Sequence, residues 1–343
     1  MNKIILWWGR SDLEYSRNRL ILKLFKELNY TVIFFRPLIS SLGYYEALIR
    51  LKKTPSIIWV PSFRHRDFMS AFKWSKKNNI PIIFDPLISK WDKLINEKNK
   101  FTKNSIKAKK IKFEESYFFS KANIIIADTE AHKDFYNKNF NIPLNKIYVV
   151  NVGADENLFK PFPYKENKIK EVLFYGSFLE LHGIETILES FNLLKNEKIK
   201  FTLLGKYKKI INDHINLEPP IPLDDLPKRI NRADIVLGIF SSSEKAGNVI
   251  PNKVFQSLAC GKPIITRFSK AYPKKVLDTK HGIMFIKPNN PKELADAIKK
   301  ILSNENLSIK MRDQSRKLFD TFFSEKVIKK QIQQAIINSI NDF

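Results

Sequence analysis

Two polar side chains, Lys253 and Gln256, are well placed by the sequence to bind an anion. They lie in the stretch GIFSSSEKAGNVIPNKVFQSLACGKPIIT (residues 238–266), where Pro251 marks the start of a predicted helix. Residues three apart share one helix face, and a helix N-terminus offers free N–H groups with a partial positive charge. The pattern predicts a diphosphate beside Lys253 and ribose hydroxyls beside Gln256. Two surface residues on an ordinary packing helix are the alternative.

A glycine turn provides a second candidate site. The sequence VLFYGSFLELHGIETIL (residues 172–188) predicts a strand, a turn at Gly176 and a helix. This is the order of a phosphate-contacting loop, although the Gly-x-Gly-x-x-Gly spacing of a dinucleotide site is absent. Ser177 and His182 are the polar residues of the turn, and His182 could donate to a phosphate or to a sugar hydroxyl. An isolated histidine is more often structural, so both interpretations stay open.

Strand-length apolar runs alternate with helical stretches in both halves of the chain, which predicts parallel sheets with helices on both faces. The predicted strands of the first half are Lys3–Trp8, Thr31–Phe35, Ser56–Val60, Pro81–Asp85, Asn123–Ala127 and Lys146–Val150. Those of the second half are Glu171–Gly176, Lys200–Leu204, Ala233–Phe240, Pro263–Thr266 and Ile283–Ile286. The main predicted helices are Arg17–Leu28, Ile184–Lys195, Asp224–Asn231, Asn252–Cys260, Pro291–Ser303, Leu307–Phe319 and Glu325–Ile340.

A proline-containing linker (residues 151–170) separates the two halves. The chain is therefore predicted to be an α/β protein with two doubly wound Rossmann-like domains, residues 1–153 and 154–324. Doubly wound sheets bind ligands at the carboxyl ends of their strands, so the two domains are expected to face each other across a shared cleft.

Arginine is scarce in this chain but recurs at the first strand–helix loop, at Arg10, Arg17 and Arg19. These guanidinium groups face the expected cleft and could hold a phosphate of either substrate. We assign Gly9 and Arg10 to the binding of one substrate and Arg17 and Arg19 to the binding of the other.

The motifs together resemble those of family 4 glycosyltransferases, which have the GT-B fold and are typically retaining. The similar segments are Tyr15-Ser16-Arg17-Asn18-Arg19, Ala127-Asp128-Thr129-Glu130-Ala131-His132, the hinge sequence 152–159, YGSF with LHGIE in the glycine turn, and VIPNKVFQ-x-LA-x-GKP. The resemblance spans nearly the whole chain. It implies a donor-binding second domain, an acceptor-side first domain, and a final helix (residues 325–343) that packs back on the first domain.

The resemblance also carries roles to particular residues. Ser177 and His182 stand where the family has its diphosphate-binding Arg and Lys, so Lys253 or Lys206 is expected to supply the charge. Gln256 replaces the second Glu of the family's Glu pair and keeps hydrogen-bonding capacity for a ribose.

Two catalytic assignments follow from the same resemblance. The first Glu of the pair corresponds either to Glu244, by local context, or to Asn248, by spacing. The His-Asp that often follows the family's fourth strand reads Phe84-Asp85 here, so Asp85 is either catalytic or a strand-end residue.

The net charge of +25 is typical of proteins that meet nucleic acid, a membrane surface or a phosphorylated substrate, and also of an ordinary lysine-rich surface. Residues 90–121 contain ten lysines interleaved with apolar residues, which favours docking on anionic lipid or simply a solvated helix. The lysines are spread along the chain and no RNP-type or zinc-finger motif occurs, so nucleic acid is not expected as a partner.

Metals, disulfides and membrane spans are not expected. The chain has one cysteine, Cys260, and its five histidines show no ligand spacing. No apolar run approaches the length of a membrane span and no leader pattern is evident, which predicts a cytoplasmic protein that reaches the membrane only peripherally.

These observations predict a metal-independent enzyme without a cofactor. It would move a sugar, such as a hexose, from a UDP- or GDP-sugar donor to a glycan or lipid-linked acceptor in the synthesis of surface polysaccharides or glycoconjugates. The alternatives are an inactive GT-B homologue that acts as a binding subunit and, less favoured, a basic nucleic-acid-binding protein.

Overall fold

The computed structural model describes residues 3–163, 165–206, 213–278 and 282–341. The chain divides into two compact units. The first contains residues 1–152 and 325–343, and the second contains residues 153–324.

The first unit is a six-stranded parallel sheet of order β2-β1-β3-β4-β5-β6. Its strands are β1 (Ile4–Trp8), β2 (Thr31–Phe35), β3 (Ile57–Val60), β4 (Ile82–Phe84), β5 (Ile124–Ala127) and β6 (Ile147–Val149). Its helices are α1 (Ser16–Glu27), α2 (Gly43–Arg50), α3 (His65–Asn78), α4 (Lys90–Asp92), α5 (Ile106–Lys121) and α6 (Glu130–Phe140), with 3-10 turns Ser40–Leu42 and Leu144–Lys146 and a π turn Lys93–Glu97.

The second unit repeats the plan with a parallel sheet of order β12-β11-β10-β7-β8-β9. Its strands are β7 (Lys170–Tyr175), β8 (Ile199–Leu204), β9 (Ile215–Glu218), β10 (Ile235–Leu237), β11 (Ile264–Arg267) and β12 (Ile283–Ile286). Its helices are α7 (Ile184–Leu193), α8 (Leu226–Arg232), α9 (Glu244–Asn248), α10 (Asn252–Ala259), α11 (Lys274–Asp278), α12 (Pro291–Leu302) and α13 (Glu305–Leu318), with a 3-10 turn Glu180–His182 and a π turn Phe319–Phe323.

Strand β1 shows why the sheet of the first unit is covered on both faces. Ile5 and Trp7 belong to one buried cluster, and Leu6 and Trp8 belong to the other. Successive side chains of a strand point to opposite faces, so a strand without polar residues fits a sheet with helices on both sides.

The last helix, α14 (Glu325–Asn341), belongs to the first unit although it follows the second unit in sequence. Ile328, Ile332 and Ile336 recur every four residues and are buried in the same cluster as Ile5 and Trp7. Lys23 forms an ion pair with Glu325, and Gln331 donates to Asn151 at 2.9 Å.

The segment predicted as a basic amphipathic helix, residues 90–121, has a different structure. It comprises α4, the π turn that follows it, a connecting loop and α5, and most of its apolar residues do not face outward. Ile95 is buried, and Leu94, Phe101 and Ile111 pack against the core. Ile106 and Phe113 are exposed, so the apolar contribution to membrane docking is smaller than the sequence predicts. Among the described residues, no helix has both the length and the apolarity to span a bilayer.

Candidate functional site

Each sheet has a topological switch point, where the strand order reverses and ligands of doubly wound folds bind. In the second unit the reversal lies between β7 and β10, which are hydrogen-bonded neighbours. The glycine turn follows β7, and the polar loop that leads to α10 follows β10. The topology therefore brings together the two stretches that the sequence singles out.

Close backbone packing holds the glycine turn against the loop after β10. Gly183 has a φ of +63°, and a Cβ there would lie 2.5 Å from the backbone nitrogen of Ser241. The backbone nitrogen of Phe240 donates to the carbonyl oxygen of His182 at 3.0 Å. The short helix α9 also packs against the 3-10 turn that carries His182. A side chain at position 183 would push these two loops apart.

Lys253 is the most unusual charged residue of this site. Its side chain is buried, and its Nζ forms no hydrogen bond with any described residue. Nζ lies 3.7 Å from the ring centroid of Phe174, and it is 3.6 Å from the point that a Cβ on Gly176 would occupy. Burial holds the pKa of Lys253 well below its ordinary value. An ammonium desolvated without a carboxylate partner is stabilised by any anion that enters beside it.

His182 lies next to this ammonium. Its Cε1 is 3.8 Å from the same point above Gly176, and its Nδ1 is buried without a hydrogen-bond partner. Burial, reinforced by the nearby charge of Lys253, lowers the pKa of His182 to about 2. The imidazole is therefore neutral at physiological pH and can donate a hydrogen bond to an anion, but it cannot add a positive charge.

Gln256 is buried, unlike a surface residue. Its Oε1 accepts a hydrogen bond from the hydroxyl of Tyr175 at 3.0 Å, and the same hydroxyl lies 3.2 Å from the carbonyl oxygen of Lys253. Every residue of α10 from Lys253 to Ala259 is buried. The alternative interpretation, in which Lys253 and Gln256 are two surface residues on a packing helix, is therefore wrong. The two residues line the interior of the unit, between α10 and the end of β7.

The remaining donor-side candidates differ in exposure. Ser177 and Lys206 are exposed at the ends of β7 and β8. Glu244 is exposed at the start of α9, and Asn248 is half-buried at its end. The hydroxyl of Ser243 caps α9 by accepting from the backbone nitrogen of Ala246 at 3.3 Å.

Arg267, which the motifs do not single out, positions the loop before α9. Its Nη1 donates to the carbonyl oxygens of Ser241 at 2.6 Å and Ser243 at 3.2 Å. Ser269 donates to the carbonyl oxygen of Gly247 at 2.6 Å. Both residues follow or end β11, so their role depends on a strand pairing that local sequence does not reveal.

In the first unit, the structure separates the three arginines. Arg10 is exposed directly after Gly9, whose φ is +126°. Arg19 is partly exposed and lies 3.7 Å from a carboxylate oxygen of Glu14. Arg17 is buried, so the expectation that all three guanidinium groups line an open surface is wrong for Arg17.

Arg17 and Asp85 form a buried ion pair. Nε of Arg17 donates to both carboxylate oxygens of Asp85, at 2.8 and 3.1 Å, and Nη1 donates to the carbonyl oxygen of Val150 at 3.0 Å. Burial disfavours the charged guanidinium, but Asp85 outweighs this effect and raises the pKa of Arg17. Asp85 therefore lies at the end of β4 as the partner of Arg17, an arrangement that fixes both side chains.

A second buried carboxylate lies on the next strand. Asp128 follows β5, its Oδ1 contacts Nδ1 of His132, and its carbonyl oxygen accepts from the side chain of Asn151 at 2.9 Å. Thr129 caps α6 by accepting from the backbone nitrogen of His132 at 3.0 Å. Among the described residues, no group of three or more His, Cys, Asp or Glu side chains is arranged to hold a metal ion.

Two doubly wound six-stranded parallel sheets in consecutive units are the architecture of GT-B proteins, and similarity to solved glycosyltransferase structures confirms the predicted fold class. The crystal structure of HepE from Anabaena in complex with UDP has a TM-score of 0.72 and 12% identity, covering 98% of this chain and 99% of that one. A glycosyltransferase from Rickettsia africae has a TM-score of 0.73 and 13% identity, covering 99% of both chains. At these identities the similarity shows the fold alone.

The sequence of the second unit is similar to a family of known proteins. Residues 155–318, which lie in the second unit, match the model of the family described as Glycosyl transferases group 1. An uncharacterized glycosyltransferase of Methanocaldococcus jannaschii is 27% identical over 248 residues, which is 64% of this chain and 60% of that protein. The chain matches between about half and three fifths of the length of its curated relatives. The recognition of a glycosyltransferase family from the motifs is confirmed at the level of group 1.

Proposed function

We propose that this protein transfers a sugar, such as a hexose, from a nucleoside-diphosphate sugar to a glycan or lipid-linked acceptor. One observation carries the proposal. The buried Lys253 ammonium has no acidic partner among the described residues and adjoins the glycine turn of the unit that matches the group 1 family. A diphosphate is an anion of the right chemistry to occupy that position.

The reaction explains why a cation is needed there. Cleavage of the bond between the anomeric carbon and the donor diphosphate places positive charge on the sugar and negative charge on the leaving phosphate. A fixed cation stabilises the leaving phosphate more strongly in the transition state than in the ground state. Lys253 supplies the charge, and His182 donates a neutral hydrogen bond.

UDP-sugar is the donor that we favour over GDP-sugar, because the structurally similar HepE was crystallised with UDP, with UDP and glucose, and with UDP-glucose. Calorimetric titration with UDP, GDP and UMP tests this choice. We expect UDP to bind most tightly and UMP, which lacks the second phosphate, to bind at least about 10-fold more weakly, the loss of one charged contact. Equal affinity for UDP and UMP would contradict the diphosphate assignment.

Retention of the anomeric configuration and independence from metal belong to the same proposal. Retention is expected from the resemblance to family 4, and proton NMR of the first product formed from UDP-glucose tests it by the coupling constant of the anomeric proton.

We expect turnover to continue in EDTA, because Lys253 can balance the charge of the leaving diphosphate. Loss of turnover in EDTA that added Mg²⁺ restores would contradict metal independence.

An anionic membrane surface remains a predicted partner of the first unit, at the cytoplasmic side of a membrane where surface polysaccharides or glycoconjugates are assembled. Each lysine near such a surface contributes about 1 kcal/mol, and salt screens the attraction. We expect the protein to sediment with anionic vesicles at low salt and not with neutral ones. Replacing exposed Ile106 and Phe113 with serine should weaken this binding, whereas equal sedimentation with both vesicle types would contradict it.

An inactive binding subunit is the second candidate, because Ser177 and His182 stand where related enzymes have cationic residues. Hydrolysis of UDP-glucose by the purified protein separates the two functions. An enzyme releases UDP and glucose slowly without acceptor, whereas a binding subunit retains UDP affinity but releases no glucose.

A further inference from the structure

The first unit contains a pocket of about 710 Å³ that the donor site does not involve. It is enclosed by the loop after β3, helix α3, the chain that follows β4, and helix α5. All residues that line it belong to the first unit. We refer to it below as the first-unit pocket.

Two helices present matched faces to this pocket. Arg66, Met69 and Lys73 lie on α3, and Ile111 and Phe118 lie on α5. These five residues are three, four or seven positions apart on their helices, which is the spacing of a single helix face. Opposed helix faces of this kind form a groove whose shape is fixed by the core packing beneath them.

The pocket carries positive charge that the protein itself does not neutralise. Within the described part of the chain, Arg66, Lys73 and Lys90 form no ion pair with an acidic side chain, and Arg66 and Lys73 are exposed. The three cations outnumber Glu114, which is half-buried and also lines the pocket. Glu115 lines the pocket as well, but it is buried and its carboxylate is already engaged. It accepts from the Ser89 hydroxyl at 2.7 Å and from the backbone nitrogens of Lys90 and Trp91 at 2.7 and 2.9 Å.

The same pocket has an apolar part. Met69, Ile88, Ile111 and Phe118 line it and are half-buried, so each leaves apolar surface in contact with water. Covering such surface is favourable because it removes apolar side chains from water. A ligand that satisfies both parts must have an apolar segment and an anionic group at one end.

We propose that the first-unit pocket binds a phosphorylated lipid, with the phosphate among Arg66, Lys73 and Lys90 and the chain against the apolar side chains. Three exposed cations fit the charge and oxygen count of a phosphate better than those of a carboxylate. A free phosphate ion would leave the apolar part uncovered, and a neutral lipid would leave the cations unpaired.

The surroundings of the pocket suit a ligand that comes from a bilayer. The 3-10 turn Ser40–Leu42 contributes Ser41 to the lining, and α2 follows this turn. Exposed Ile39 precedes this turn and exposed Ile49 lies on α2, while exposed Ile106 and Phe113 lie on α5. Apolar side chains that would otherwise be costly in water can enter the interfacial layer of a membrane.

Binding of the lipid depends on the pocket alone; that the lipid is the acceptor of sugar transfer rests on the proposed function. The test therefore measures lipid binding and UDP binding separately on the full chain. Octyl phosphate is the probe, and octanol and inorganic phosphate represent its apolar half and its anionic half. Titration calorimetry measures the binding of each of the three compounds. We expect octyl phosphate to bind at least about 10-fold more tightly than either half, because each half lacks one class of contact.

Variants locate the binding. Lys73→Gln with Lys90→Gln should weaken octyl phosphate binding at least about 10-fold, whereas exposed Lys76→Gln on the same helix should not, since Lys76 does not line the pocket. Met69→Trp should block the chain by filling the pocket while all cations remain. In each variant, circular dichroism reports the fold and UDP titration reports the second unit.

The outcomes are separable. If octanol or inorganic phosphate binds as tightly as octyl phosphate, or if Lys76→Gln weakens binding as much as the pocket variants do, the lipid proposal is wrong. If octyl phosphate binds but UDP does not, the pocket is supported and the proposed function fails. Vesicles containing phosphatidic acid, compared with phosphatidylcholine alone, then distinguish a bilayer lipid from a soluble organic phosphate, and binding confined to the soluble probe would overturn the lipid source.

Discussion

The ammonium of Lys253 lies 3.7 Å from the ring centroid of Phe174, and it forms no hydrogen bond with any described residue. A cation over an aromatic face gains about 2 kcal/mol when desolvated, which is less than a buried charge loses by leaving water. The contact with Phe174 alone therefore does not offset the desolvation of Lys253, whereas an anion bound beside Lys253 would.

The first prediction concerns Lys253→Met. Removing the ammonium should weaken UDP binding by about 10- to 150-fold, the equivalent of a charge-assisted contact of about 1.5–3 kcal/mol. The melting temperature of the ligand-free protein should stay equal or rise, because an apolar side chain replaces a buried amine whose charged form is disfavoured by burial. Titration calorimetry and thermal unfolding measure the two effects.

Lys228→Met is the matched control, since Lys228 is exposed on α8 of the same unit. It should leave UDP affinity unchanged. Wild-type affinity in folded Lys253→Met would remove Lys253 from the donor site.

A second prediction follows from the depressed pKa of Lys253. The buried amine favours the neutral form, and a bound diphosphate favours the charged form, so UDP binding should take up a proton. Above about pH 7.5 the phosphates of UDP are fully ionised and contribute little to this uptake. UDP affinity should therefore fall as the pH rises from that value. Calorimetry in buffers of different ionisation enthalpy measures the proton directly, and the uptake should vanish in Lys253→Met.

A third prediction uses two glycines of the second unit. Gly183→Ala places a Cβ 2.5 Å from the backbone nitrogen of Ser241 in a residue with a φ of +63°. It should lower the melting temperature and weaken UDP binding, because it separates the two loops at the switch point. Gly247→Ala is the control, since a Cβ there meets only Nη2 of Arg267, at 3.6 Å. Comparable losses in both variants would show that loop separation is not the cause.

Much of the fold was predictable because its strands are locally apolar. Ile4–Trp8 and Ile283–Ile286 are recognisable from composition alone, and their observed bounds differ from the predicted ones by at most one residue. Strand β9 (Ile215–Glu218) was not predicted. It lies at the edge of its sheet, and exposed Asn216 and Leu217 interrupt the apolar pattern.

The site was less predictable because its determinants are distant in sequence. Spacing correctly placed Lys253 and Gln256 in one region, but their burial depends on Tyr175 and Phe174, about 80 residues earlier. Arg17 is predicted as an exposed phosphate ligand, and it is buried because Asp85, 68 residues away, pairs with it. No local pattern reports such a partner.

A fourth prediction tests whether Arg17 and Asp85 act as one unit. Arg17→Met or Asp85→Leu alone leaves a buried charge without its partner and should destabilise the protein by about 3–5 kcal/mol. The double variant should recover most of that loss, because neither charge then remains buried. Denaturant unfolding of the four proteins measures the coupling. Additive losses in the double variant would contradict it.

The last prediction concerns His182 and the stability of the protein in acid. Its pKa is about 2 in the folded protein, against 6.5 for an ordinary histidine. Below pH 6.5 the unfolded chain binds a proton at this residue and the folded protein does not. The contribution of His182 to the free energy of unfolding therefore falls as the pH falls, by about 2 kcal/mol between about pH 6.5 and 5.

Urea unfolding measures this effect. The difference in the free energy of unfolding between wild type and His182→Gln should shrink by this amount over that pH range. A constant difference between wild type and His182→Gln would mean that the imidazole is protonated in the folded protein. The imidazole and Lys253 would then both be cations at the donor site.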